Sequence, residues 1–275
     1  MSSITAPVQE TLADRIEALG LAENVRELDE LGFTVIRDPK ADEIVDEVRD
    51  AIIRCVPARP EEKAPTRFTL LDQDPIFAEA ITVPRLLTMV EYLLGRGAVF
   101  SQLSGSRRRQ GRSSLGLHAD SSWFPEPLPE WEIMCTACFV TDGFTEESGA
   151  TLVIPGTHKR RAHPSSDERK ALEGAIPIVA PKGAIALWNG TVWHGNYPRQ
   201  DEGERVVLHM TYTRIGMAPI ENYEHLGEEW FAGKDPELPR LLGRNNFLGR
   251  HTGWKENDRE LLKKTYDDVH GPGFR

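Results

Sequence analysis

Long apolar runs are missing from this chain: no stretch approaches the ~18 consecutive apolar residues that a membrane-spanning helix requires, although 39% of its 275 residues are hydrophobic. The opening stretch Met1-Ser2-Ser3-Ile4-Thr5-Ala6 has no basic region followed by an apolar one, so a cytoplasmic enzyme without a leader is the expectation. Cysteine is scarce. Cys55, Cys135 and Cys138 cannot supply a disulfide framework, and their odd number suits a reducing compartment. Positive charge is also short. With 33 Lys and Arg against 43 Asp and Glu, the net charge of -10 argues against a nucleic-acid partner held through phosphates. Much of the excess lies early, where residues 1–63 carry 15 acidic and 8 basic side chains, as solvated helix faces do. No repeat, low-complexity segment or linker divides the chain, and its length suits one large domain spanning 1–275.

What is present falls into three parts. Apolar residues recur at helical spacing from Thr11 to about Leu31, with a break at Gly20, then from Ala41 to Cys55, and again from Val83 to Leu94. A short strand, Phe33-Thr34-Val35-Ile36, lies between the first two. From Ala98-Val99-Phe100-Ser101-Gln102-Leu103 to about Thr213, short apolar or alternating runs are separated by Gly, Pro, Asn and Asp, the pattern of an all-β sandwich or barrel. Helices first and strands afterwards predict a mainly β fold with flanking α: N-terminal helices over about 10–95, a barrel core over about 98–215, and a C-terminal segment over about 216–275. That last segment either caps the barrel mouth or forms a dimer contact, which leaves monomer and homodimer both open.

The chemistry centres on Leu117-His118-Ala119-Asp120. A histidine and an aspartate two apart on a strand share a face, so both can grip one metal ion. A third ligand must come from far away. His194, 74 residues after Asp120, follows the apolar run Leu187-Trp188 and supplies it; His209 is the rival. Two histidines and a carboxylate suit a non-haem ferrous ion with open positions for oxygen and a co-substrate. His158 and His163 sit beside turns and are read as loop or supporting residues. Cys135-Thr136-Ala137-Cys138 has CxxC spacing inside a strand, where positions three apart face opposite sides, so buried thiols are expected instead of a metal or redox site.

Three further stretches bear on ligands. Arg107, Arg108, Arg109 and Arg112 crowd Gly105–Gly116 without an acid; they either attract an anionic small-molecule substrate, with Arg107 and Arg109 as binding candidates, or form a solvated loop. Residues 121–131 hold three prolines and three aromatics, a semi-rigid flap or simple edge packing. Arg205, eleven residues beyond His194, opens an apolar strand, and a carboxylate partner explains an arginine there.

In this order, His118-x-Asp120, then Gly149-Ala150-Thr151-Leu152-Val153-Ile154-Pro155-Gly156-Thr157-His158, then His194 and Arg205, the sequence resembles the phytanoyl-CoA dioxygenase family of iron(II)/2-oxoglutarate oxygenases over roughly Leu28 to Thr213. The resemblance implies a double-stranded β-helix, a jelly-roll or cupin-like barrel, with His118, Asp120 and His194 as iron ligands. It also implies that Arg205 binds the distal carboxylate of 2-oxoglutarate with Thr151 and Trp123 beside it, that Gln102 lines the substrate pocket, and that O2 is the oxidant. Hydroxylation of an unactivated C–H bond with release of succinate and CO2 is the expected reaction. A metal-dependent oxygenase or isomerase that does not use 2-oxoglutarate is the alternative, for which Arg205 is the discriminating residue and Arg214 the next candidate anchor. Some relatives carry a glutamine where this chain has Gly116, and halogenating relatives lack the aspartate that Asp120 retains.

Overall fold

A computed structural model describes residues 10–58, 64–111, 115–244, 246–249 and 258–271. The N-terminal pattern resolves into helices α1 (Leu12–Ala18) and α2 (Ala22–Leu31), strand β1 (Phe33–Ile36) and helix α3 (Pro39–Cys55). Local chemistry sets these limits. Thr11 and Asp14 form a reciprocal capping box on α1, and Gly32 ends α2 in the left-handed conformation. Asp38 caps α3 by accepting from the Lys40 amide at 2.8 Å, with Pro39 in the first turn. Strand β2 (Thr66–Phe68) and helices α4 (Ile76–Ala80) and α5 (Pro84–Leu94) complete the N-terminal layer.

The β region begins with β3 (Val99–Gly111), β4 (Met134–Val140) and β5 (Thr151–Ile154). After helix α6 (Ser166–Ala171) come β6 (Ile176–Pro177), β7 (Ile185–Asn189), β8 (Trp193–Asn196) and β9 (Arg199–Thr213). These make two antiparallel sheets: six strands in the order β1-β7-β4-β9-β3-β2, and three in the order β6-β5-β8. The expected jelly-roll thus takes the form of two sheets without a closed barrel among the described residues, with two isolated pairs, His118–His194 and Phe144–Ala180, beside them.

Strand alternation decides what the sheets enclose. On β4, Cys135, Ala137 and Phe139 pack toward the helices, in one core with Leu28, Val48, Ile52 and Phe77. Cys138 and Val140 point the other way, into a second core with Phe144, Val153, Trp188 and Val207 between the sheets. The two thiols of the CxxC therefore belong to different cores, as expected of positions three apart. On β9, Val206, Leu208, Met210 and Tyr212 face the helices, leaving Arg205, Val207, His209 and Thr211 for the interior. Each fully buried aliphatic side chain in the helix-facing layer contributes roughly 1.5–3 kcal/mol, and this layer fixes the large sheet as the floor of the site.

Beyond β9, helices α7 (Glu228–Phe231), α8 (Leu238–Leu241) and α9 (Asp258–His270) follow. Tyr223, Leu226, Leu238 and Leu241 join the helix-facing core. Trp230 and Phe231 pack against it, whereas Trp254 lies outside the described residues. No helix among the described residues is long and apolar enough to cross a membrane.

Candidate metal centre

His118 and His194 are brought together by backbone. Each donates its amide to the other's carbonyl, at 2.9 and 2.8 Å, an antiparallel bridge that sets the two imidazole rings 4.3 Å apart. His118 is therefore not part of a regular strand, as its motif suggested. Ala119 is nevertheless extended, so Asp120 projects to the same side before the chain turns into a short 3-10 segment, Asp120–Trp123. Two close approaches hold this arrangement. At Gly190 a Cβ would stand 2.5 Å from Met134 Cγ and 2.9 Å from Ser121 Oγ, and the Ser121 amide donates to the Gly190 carbonyl at 2.8 Å. At Gly195 a Cβ would stand 2.8 Å from the Leu115 carbonyl, so glycine lets the segment before His118 lie against β8.

The ring orientations are set from behind. His118 Nδ1 lies 2.9 Å from the Gly116 carbonyl and His194 Nδ1 3.1 Å from the Val192 carbonyl. A carbonyl can only accept, so Nδ1 carries a proton in both rings and Nε2 is the atom each ring turns toward Asp120 as its ligand atom. Asp120 Oδ1 lies 3.5 Å from His118 Nε2 and 3.4 Å from His194 Nε2. The other oxygen, Oδ2, accepts from Thr136 Oγ1 at 2.8 Å and from Trp188 Nε1 at 3.1 Å. One carboxylate oxygen is thus anchored and the other left for a ligand. Burial by itself would raise the Asp120 carboxyl, yet His194 and His118 hold it well below the usual range. Among the described residues the ligand atoms of His118, Asp120 and His194, all within 4.8 Å of one another, make the one metal-capable cluster of three or more.

The second feature is Arg205. It sits in the middle of β9 instead of opening a strand, 1% exposed, and its Nε and Nη1 are shielded from solvent without a hydrogen-bond partner. Its guanidinium carbon lies 4.5 Å from the centroid of Phe144. Burial, aided by Arg108 on the facing strand, pushes its pKa down to about 9. A cation so placed is costly for the fold unless its charge is met.

With this geometry the comparison with known proteins is decisive, because the sequence profile of phytanoyl-CoA dioxygenase matches residues 28–207. The chain belongs to the phytanoyl-CoA dioxygenase family. Dioxygenase af480 of Aspergillus fumigatus is 31% identical over 185 residues, covering 66% of this chain and 59% of that protein. Dioxygenase trt7 of Aspergillus terreus is 24% identical, covering 67% of this chain and 62% of that protein. The chain therefore spans about three fifths of the length of these relatives. Among solved structures, HygX from Streptomyces hygroscopicus with iron bound has a TM-score of 0.59 over 78% of this chain and 94% of that one, at 18% identity. EctD from S. alaskensis with bound Fe gives 0.59 over 80% and 83%, at 16% identity, and these likenesses establish the shared fold.

Within this phytanoyl-CoA dioxygenase fold the other expected site residues separate clearly. Gln102 is opposite Thr211, which is opposite Thr136, so it stands in a row across three strands that ends at Asp120. Thr151 is buried on β5, on the same face as Val153 of the inter-sheet core that holds Phe144. Trp123 is different. The 3-10 segment buries Ser121 and turns Trp123 outward, 76% exposed, so Trp188 is the tryptophan that meets the metal-ligand set.

The basic stretch also departs from expectation. Instead of a loop from residue 104, β3 continues to Gly111, and strand alternation sends Arg107 and Arg109 to the face away from the site. Both bind Glu204 on β9, at 2.5 and 2.8 Å, so neither is placed to receive a substrate. Arg108 is the member of the run that shares a face with Arg205; Arg112 lies outside the described residues. Arg214 is engaged with the Glu132 and Leu93 carbonyls, at 2.8 and 3.0 Å, which removes it as an anchor.

His209, His163 and His158 have structural partners. His209 lies between Ser106 Oγ at 3.3 Å and Cys138 Sγ at 3.1 Å, and burial keeps it neutral, with its pKa pushed down to about 3. His163 Nε2 lies 2.8 Å from the Phe124 carbonyl, which ties down the 121–131 flap. His158 Nε2 lies 3.2 Å from the Asp29 carbonyl on α2. The Pro155-Gly156-Thr157-His158 turn explains itself through its threonine: Thr157 Oγ1 accepts the Trp193 amide at 2.9 Å and so fixes the strand that carries His194.

Sequence reasoning missed Thr136, Trp188 and Ser106, whereas it placed His209 on the same strand face as Arg205. The Asp120 contacts of Thr136 and Trp188 depend on how separate strands pair.

Proposed function

We propose that this chain is an iron(II)- and 2-oxoglutarate-dependent dioxygenase that oxidises a C–H bond of a small organic molecule, with release of succinate and CO2. One observation carries the reading: two imidazole Nε2 atoms and one carboxylate oxygen converge, each oriented by a hydrogen bond on its far side, in the same interior as a buried guanidinium without a protein partner. Two nitrogens and one oxygen suit ferrous iron, and they leave positions open. His118 Nε2, His194 Nε2 and Asp120 Oδ1 would hold the metal. Arg205 would pair with the far carboxylate of 2-oxoglutarate, with Thr151 beside it.

When bound, the metal and co-substrate supply the oxygen chemistry that no side chain can. The chain's own part is to orient and to exclude water. Thr136 and Trp188 hold Asp120 so that one oxygen faces inward. The Gly116 and Val192 carbonyls accept from each Nδ1 and so turn each Nε2 toward the metal position. Arg205, with its charge in a dry interior, selects an anion of defined length, because its attraction is weakly screened there. Balanced over all reactants, R–H, 2-oxoglutarate and O2 yield R–OH, succinate and CO2.

The test is an anaerobic titration of the iron(II) protein with 2-oxoglutarate, following the weak visible charge-transfer absorption of a chelated keto acid in wild type and Arg205→Leu. A band that saturates in wild type and needs far more 2-oxoglutarate in the variant supports the reading. Iron bound without a band transfers the site to a metal-dependent reaction that does not use 2-oxoglutarate.

A further inference from the structure

Arg205 is one of two arginines among the described residues whose guanidinium holds two shielded nitrogens without a hydrogen-bond partner; the other is Arg244. Arg244 lies far along the chain, just after α8, with its backbone amide donating to the Pro239 carbonyl at 2.8 Å. Its Nε and Nη2 are the orphaned atoms, and its guanidinium carbon stands 5.3 Å from the centroid of Phe231. A neighbouring aromatic face offsets only part of the cost of desolvating a cation.

Arg244 also lines a cavity of about 730 Å³ between the start of β3 and the segment after β9. That volume falls in the range of sites for small organic ligands, about 300–1,000 Å³. Most of the lining is apolar, including Phe100, Met217, Ala218 and Leu242. Ile220 and Leu248 line it as well and leave 50% and 60% of their surface exposed, so the cavity wall offers apolar area that a ligand can cover.

Two acids also line the cavity. Glu221 is already committed, accepting from the Thr69 amide at 2.9 Å, the Leu103 amide at 3.1 Å and the Tyr223 hydroxyl at 2.6 Å. Glu224 is exposed at the rim. Neither hydrogen-bonds Arg244. Val99, also in the lining, stands opposite Thr213, which stands opposite Met134, so the cavity lies two strand spacings, about 10 Å, from the strand that anchors Asp120.

We propose that this cavity is a binding site for an organic acid, whose carboxylate or phosphate pairs with Arg244 and whose apolar body covers Ile220, Leu242 and Leu248. The proposal stands apart from the metal chemistry. The guanidinium fork can receive either acid group bidentately, and the apolar walls require a hydrocarbon body that a free inorganic anion lacks.

Calorimetric titration of the full chain with octanoate, octyl phosphate and 1-octanol tests it, in wild type, Arg244→Met and Ala218→Trp, with and without excess 2-oxoglutarate. At least one of the two anions binds wild type more tightly than octanol, and the tighter one names the acid group. Arg244→Met weakens that anion by about 10- to 100-fold, the loss of a charged hydrogen-bonded pair, and leaves octanol unchanged. Its melting temperature stays level, because the two orphaned nitrogens give up no hydrogen bond; a structural arginine would lower it. Should Arg244→Met not fold, Ala218→Trp decides the matter by filling the cavity: lost anion binding supports the proposal and unchanged binding overturns it. Anion binding that survives Arg244→Met, is displaced by 2-oxoglutarate, or is absent from wild type overturns it as well.

Discussion

Replacing Arg205 by leucine separates two effects that usually travel together, stability and function. Its guanidinium is 1% exposed with two nitrogens unpaired, and burial lowers its pKa well below the ordinary arginine value, to about 9. A depressed pKa on a base means that folding disfavours the charged form. Below pH 9 the whole penalty is present, and it is relieved as pH rises from the folded value toward the unfolded one. At about 1.4 kcal/mol per unit, the shift corresponds to roughly 5 kcal/mol at neutral pH, an upper value because leucine also gives up the contact with Phe144 and leaves some space. A gain of about 1–4 kcal/mol in unfolding free energy is expected for Arg205→Leu without ligand. Urea unfolding measures it directly. With the metal present, 2-oxoglutarate at a hundred times its dissociation constant should add about 2.7 kcal/mol to wild type and almost nothing to the variant, so the two stability curves should approach or cross. A ligand-free variant less stable than wild type would refute the reasoning, since it would show that Arg205 is satisfied by the protein and not held ready for an anion.

The support behind Asp120 can be tested without touching a ligand: Thr136→Val should cut iron(II) affinity by about 10- to 100-fold while the far-ultraviolet circular dichroism stays the same, measured by competition with a chelator. Gly190→Ala forces a Cβ to within 2.5 Å of Met134 Cγ and 2.7 Å of the Met134 carbonyl, and about 1–3 kcal/mol of destabilisation is expected in urea together with weaker metal binding, because Ser121 and Asp120 must shift. Glu132 is pushed up to about 7 by burial, so the folded state holds its proton more tightly than the unfolded chain and stability falls as pH rises from 4.5 through 7. Between pH 6 and 8 wild type should lose about 1–2 kcal/mol that Glu132→Gln keeps; equal slopes in the two proteins would place the effect elsewhere.

Much of the site was legible before any coordinates. The His118-x-Asp120 spacing, the late His194 and the following Arg205 carry their chemistry in residue type and order. The 3.6-residue stripes of α3 and α5 placed those helices to within a residue or two. Where reading failed, the cause is specific. Three consecutive arginines, 107 to 109, contradict the pattern of a half-buried strand, and so they read as loop. The strand persists because β9 is long enough to pair with it and because Glu204 accepts two of the three charges on the outer face. Trp123, next to the metal motif in sequence, drew attention that belonged to Trp188, 68 residues from Asp120.

By itself the sequence determined what depends on neighbours along the chain: helix limits, the face on which each strand residue lies once a strand is granted, the separation of Cys135 from Cys138, and the residue types able to hold a metal. Tertiary structure alone decided what depends on pairing between strands far apart in sequence. It chose which carbonyl orients each imidazole, which donors lock the second oxygen of Asp120, and which arginines face the interior. The physical reason is that side-chain direction has a period written into the backbone, whereas strand register is set by the combined packing of both sheets, and no local pattern encodes that sum.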